Sequence, residues 1–128
     1  MSYYFSKNLP LSHSEAIEKV TAALKNSGFG IVSEIQMHEK FKEKLNVDFK
    51  KYTILGACNP GYALKAVQNE EKIGTMLPCN VVIIEKGENV TEIAAVNPVA
   101  SMMAVNNQAL EPIAREITQI LKEVIENL

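Results

Sequence analysis

Both cysteines of the chain stand beside an asparagine and a proline, in Cys58-Asn59-Pro60 and in Pro78-Cys79-Asn80. A thiol can serve as nucleophile, redox partner or soft-metal ligand, and its surroundings decide which. Asn59-Pro60 reads as a helix start, with Asn59 as the N-cap and Pro60 at the first helical position. Cys58 then precedes a helix N-terminus, where unpaired amide N–H groups and the positive dipole end favour a thiolate. The same donors suit a phosphate or carboxylate ligand. Pro78 fixes the chain just before a strand, which points to a partly buried Cys79. Cys58, Asn59, Cys79 and Asn80 are therefore the candidate ligand-binding residues. Cys58 is the candidate catalytic thiolate, and Cys79 the resolving or supporting thiol. Plainer roles compete: free cysteine often packs as a small hydrophobe, and the asparagines suit a helix cap and an Asx turn.

Other chemistry has less to work with. Zinc takes four protein ligands, or three plus water, and the chain has no C-x-x-C and two histidines. His13 falls in a capping box, expected at the surface, and His38 ends a strand; neither is placed to act as a base for Cys58. A Cu(I) site would recruit Met102 or Met103, but the SMMAV methionines suit packing or a dimer interface better. No metal site is expected and no cofactor is indicated. Alternation puts Glu34, Glu85 and Glu92 on the exposed sides of strands. SGFGI runs from helix to strand, the reverse of a nucleotide-binding loop.

Composition narrows the partners. The net charge is -2, and Arg115 is the sole arginine, so the bidentate contacts of nucleic-acid readers are nearly absent. Lys40, Lys42, Lys44, Lys50 and Lys51 alternate with Glu39, Glu43 and Asp48, a solvated face. No apolar run approaches the length of a membrane span, the longest being Val81 to Ile84. The N-terminus has no signal-peptide pattern, so the cysteines are expected to be reduced thiols of a cytoplasmic protein. The 128 residues have the length of one domain, taken as 1–128.

The positioning elements follow from periodicity. Residues 2–7 read as a strand ended by Asn8 and Pro10. Ser12 to Glu15 form a capping box, followed by Ile17, Val20 and Leu24 at helical spacing and a stop at Gly28. Gly30 to Met37 alternate as a half-buried strand, and His38 to Asn46 form a short surface helix. Tyr52 to Ala57 are a strand, Pro60 to about Glu70 a helix, and Val81 to Glu85 a central strand. Lys86 to Asn89 turn the chain into a hairpin partner, Val90 to Val96, ended by Asn97-Pro98. Val99 to Asn107 are less regular. Glu111-Pro112 opens a last helix with an apolar stripe from Ile113 to Leu128. The class is α+β with a mainly antiparallel sheet packed by helices. A parallel crossover between residues 58 and 80 is the alternative. Antiparallel neighbours would bring both cysteines to one end of the sheet, and parallel ones would separate them.

GFGIVSEI, KYTILGACNPGYALKAV, IGTMLPCNVVIIE and VNPVASMMAV together resemble the bacterial and archaeal family known as domain of unknown function 302. The resemblance runs from Tyr3 into the last helix. It implies a β-α-β(4)-α arrangement like that of the TATA-binding protein, without DNA function, and a homodimer. It favours the antiparallel option. Where the family commonly has Asp-Pro after the last strand, Asn97-Pro98 replaces the carboxylate. The family brings no activity with it, and fold alone supplies none. Two readings remain: a homodimeric small-ligand-binding protein with its pocket around the CNP and LPCN motifs, or a thiol-dependent redox enzyme or soft-metal protein using Cys58 and Cys79. The residues leave open whether the protein is an enzyme.

Overall fold

A computed structural model describes residues 2–128. Its centre is one five-stranded sheet, antiparallel throughout, built from β1 (Tyr4–Leu9), β2 (Gly30–Gln36), β3 (Tyr52–Cys58), β4 (Cys79–Gly87) and β5 (Val90–Val96). The spatial order is β1-β5-β4-β3-β2. The β-branched run Val81 to Ile84 thus lies in the middle strand, as its composition predicts. The helices are α1 (His13–Asn26), α2 (Met37–Leu45), α3 (Pro60–Asn69), α4 (Pro98–Ser101) and α5 (Leu110–Glu126). A 3₁₀ turn, Glu71–Met76, which the sequence did not signal, links α3 to the loop before β4. With the short helices set aside, the order reduces to β-α-β4-α.

The local signals at α1 hold. Ser12 Oγ accepts from the Glu15 amide, and the Glu15 carboxylate accepts from the Ser12 amide. At its other end Gly28 adopts φ 86°. The Phe29 amide then reaches the Leu24 carbonyl and the Gly28 amide the Lys25 carbonyl, the double bond of a Schellman stop. Tertiary pairing overrides two sequence signals. β1 starts and ends later than residues 2–7, because Asn8 and Leu9 pair with Glu92 and Thr91 of β5. β2 is an edge strand, mostly exposed rather than half-buried, with an irregularity between Ile31 and Ser33.

α1 and α5 cover one face of the sheet. Ala16, Val20 and Leu24 meet Ile117, Leu121 and Ile125 over Leu55, Val81, Ile83 and Ile93 in one core. α3 packs beyond α5 over a smaller cluster of Ala66, Ile73 and Leu110. Lys7 of β1 donates through Nζ to the carbonyls of Glu126 (3.0 Å) and Leu128 (2.6 Å), placing a cation at the negative end of α5. Among the described residues no layer of helices covers the opposite sheet face, and α2 alone reaches its margin, beside Tyr52 and Ile54. Among the described residues no helix is long and apolar enough to cross a membrane.

Candidate functional site

The antiparallel option sets the cysteine geometry. β3 and β4 are hydrogen-bonded neighbours with Ala57 opposite Cys79, so Cys58 and Cys79 come to one end of the sheet. Asn59 is the N-cap of α3, its Oδ1 accepting from the Tyr62 amide at 3.2 Å, and Pro60 opens the helix. Leu77-Pro78 is a cis peptide, and the Pro78 ring presses on Gly56, where an added Cβ would lie 2.6 Å from Pro78 Cγ. The two proline signatures are therefore different devices: one starts a helix, the other closes a loop over a glycine.

The four candidate residues do not form one pocket. Side chains alternate along a strand, and β4 buries Cys79, Val81 and Ile83 while leaving Asn80 exposed. Cys79 faces the core, and Asn80 belongs to the opposite face. Asn80 pairs with Gly56 inside the strand, so the expected Asx turn is not its role. Cys79 is 6% exposed and Cys58 half-buried; both are free thiols. Burial, and secondarily the charge Cys58 would carry, push the Cys79 thiol up to about 11. The cavity they border holds only about 20 Å³, near the minimum for a single water.

Space lies on the uncovered face. A hollow of about 390 Å³ is floored by Val82, Ile84 and Ala94, flanked by Tyr3, Tyr4 and Tyr52, with Asn80 and Glu92 at its polar points. Tyr3 and Tyr4 meet edge to face at 4.9 Å. Tyr52 continues into a second hollow of about 280 Å³, lined by Met37, Phe41, Phe49 and Ile54. The two hollows, which share Tyr52 and lie on the same sheet face, are together termed the trough. Lys86 bridges Glu92 at 3.6 Å, so the carboxylate inside the trough has a cation at hand. A signal for this surface was present: β4 and β5 carry apolar residues on both faces, which a sheet covered on one side does not need.

A second constellation was also missed. The two histidines, 25 positions apart in the chain, meet at the base of β3 with ring centroids 6.0 Å apart. His13 is not at the surface. It is buried, its Nε2 3.0 Å from Thr53 Oγ1, because the first turn of α1 lies over the end of the sheet. Thr53 Oγ1 also donates to Gln36 Oε1, which leaves His13 Nε2 as the donor to the hydroxyl. His38 does not end β2; it lies in the first turn of α2, and its Nδ1 accepts from the Tyr52 amide at 2.9 Å. Burial foremost, then His38, holds the His13 imidazole below its usual range. Glu85 is half-buried on the core-facing side of β4 rather than exposed, and its carboxylate accepts from the Lys51 amide at 3.4 Å. Glu92 is half-buried, and Glu34 is exposed as expected. Among the described residues no three His, Cys, Asp or Glu side chains cluster as metal ligands.

The antiparallel five-stranded sheet with two long helices on one face defines an α+β protein with an uncovered apolar face. Residues 5–128 match the family described as Domain of unknown function DUF302, and the chain belongs to that family. It is similar to a solved structure described as an uncharacterized conserved DUF302 protein from Bacillus stearothermophilus. The two are 28% identical over 98% of each chain, with a TM-score of 0.90. No curated protein matches the chain.

Proposed function

We propose that the protein binds a small, largely apolar molecule on the uncovered face of its sheet. The observation that carries this reading is the trough itself. Its larger hollow, about 390 Å³, falls within the range of ligand pockets, which are mostly apolar with a few placed polar groups. Asn80 and Glu92 would supply those groups, and three tyrosines would supply contact area at low entropic cost. The Cys58–Asn59–Cys79 corner would contribute by fixing the β3–β4 junction beneath the trough, with Asn80 as its member on the binding face. The test is the fluorescence of N-phenyl-1-naphthylamine, a neutral apolar probe. Saturable enhancement that Val82→Asp abolishes supports the reading, and no enhancement with the native chain rejects it.

A homodimer belongs to this reading. β2 supports it as an edge strand whose Val32 and Ile35 are 63% and 42% exposed, a surface that antiparallel pairing with a second copy would cover. Sedimentation should give a dimer that Val32→Lys converts to monomer; a native monomer at micromolar concentration would refute it. The cytoplasmic setting is likewise inferred, from two free thiols on adjacent strands.

The convergence of Cys58 and Cys79 favours a second reading, a thiol redox protein. Here the two thiols together would lose two electrons and two protons to hydrogen peroxide, giving a disulfide and two waters. Burial of Cys79 weighs against it. Quantitative formation of a Cys58–Cys79 disulfide under mild peroxide would support this reading, and slow alkylation of native Cys79 with no disulfide would reject it.

A further inference from the structure

We propose that His13 and His38 form a proton-operated clasp that seats α2, and through it the Phe41–Met37 wall of the trough. The inference deepens the ligand-binding reading and rests on it for the consequence at the trough, though the clasp itself does not. α2 has no buried residue. Its attachment to the sheet runs through Met37 and Phe41 beside Tyr52 and Ile54, the edge-to-face pair of Phe41 with Phe49, and the His38 ring. That ring takes the Tyr52 amide proton on Nδ1, so the neutral ring carries its own proton on Nε2. Tyr52 is the residue common to both hollows of the trough. The clasp and the binding face are thus joined at one backbone position.

Only a neutral His38 can accept that bond. A protonated ring presents N–H to N–H, and the one alternative at hand is the Tyr52 carbonyl, 3.2 Å from Nδ1. Moving to it leaves the Tyr52 amide without its partner. The ring cannot retreat toward α1, because His13 faces it there. Two imidazolium ions at that spacing repel, and His13 is buried against Thr53 with little water to screen the charge. The other charged groups around His13 are Lys51, just before β3, which opposes a second positive charge, and Glu85 of β4, which favours one. Burial, His38 and Lys51 prevail over the Ile83 backbone hydrogen bond and Glu85, so the His13 imidazole is held below its usual range. A proton on the His38 ring removes the acceptor, and protons on both rings set them against each other. α2 loosens while the β4–β5 hairpin keeps its ladder, since His38 bonds to β3 and not to either of those strands.

The experiment follows amide exchange by NMR from about pH 7.5 to about pH 5, the window in which imidazoles change charge. Rates are corrected for intrinsic exchange, and N-phenyl-1-naphthylamine binding is read in parallel. Protection at Tyr52 and in α2 should fall about tenfold while β4 and β5 amides keep theirs. His38→Gln, whose Oε1 accepts without titrating, should flatten the profile. A flat profile in the native chain, or an equal fall in His38→Gln, overturns the clasp. Ring-nitrogen spectra of the native protein test it without a variant: a proton on Nδ1 of His38 at neutral pH contradicts it. If protection falls as expected and the probe binds at no pH, the clasp stands and the ligand reading fails.

Discussion

Cys79 shows how one residue's surroundings settle what its type leaves open. A cysteine beside a proline could be a reactive thiol or a small core residue, and the neighbours across β3 and from the helix layer, which leave it 6% exposed, favour the second. Its folded value of about 11 exceeds the ordinary 9.0. A thiol with a raised value stays protonated in the fold after the unfolded chain has ionised. Its contribution to stability is therefore complete below pH 9.0 and lost as the pH rises toward about 11. The loss should be about 2–3 kcal/mol, visible as a steeper alkaline decline in urea-melt stability than Cys79→Ala shows; parallel declines would refute it. Asn59 was legible because a cap is a local device. The split between Cys79 and Asn80 follows from strand alternation once β4 is known to begin at Cys79, and the sequence placed that start two residues later.

At the scale of elements, the strands and helices with strong periodicity were readable, and α1 and α5 match their expected faces. The differences lie where a partner decides. β1 extends through Leu9 because β5 offers it partners. β2 is exposed because nothing lies beyond it. His38 lies in α2, in keeping with the helix read from His38 to Asn46, but the bond of its ring to the Tyr52 amide, fourteen residues away in the chain, is one that no local pattern reports. The β3–β4 junction depends on Gly56, where a Cβ would meet Ser33 Oγ at 2.2 Å and Pro78 Cγ at 2.6 Å. Pro78 is a rigid ring, so the loop before β4 must shift to admit a methyl group. Gly56→Ala should cost about 1–3 kcal/mol in denaturant unfolding, with Gly30→Ala, which has open space at its Cβ, as the control. Equal stability of Gly56→Ala and the native chain would show that the junction is not packed as described.

For the whole molecule, the layer arrangement decides where open space lies. α1 and α5 bury one sheet face, and the hydrophobic residues of β4 and β5 that they do not reach become the floor of the trough. The family resemblance and the antiparallel class were available from the motifs; the location of usable space was not. The eye is drawn to Cys-Asn-Pro and Leu-Pro-Cys-Asn, yet those signatures build a tight corner with about 20 Å³ of room, whereas the larger volume lies over ordinary valines, isoleucines and tyrosines. Such residues look like core until topology shows which of them lack a covering layer. The most direct measurement is chemical-shift mapping of N-phenyl-1-naphthylamine titrated into isotope-labelled protein at neutral pH. The account predicts saturable shifts centred on Tyr52, Val82, Ile84 and Ala94. Shifts confined to the Cys58–Cys79 corner, or none anywhere, would contradict it.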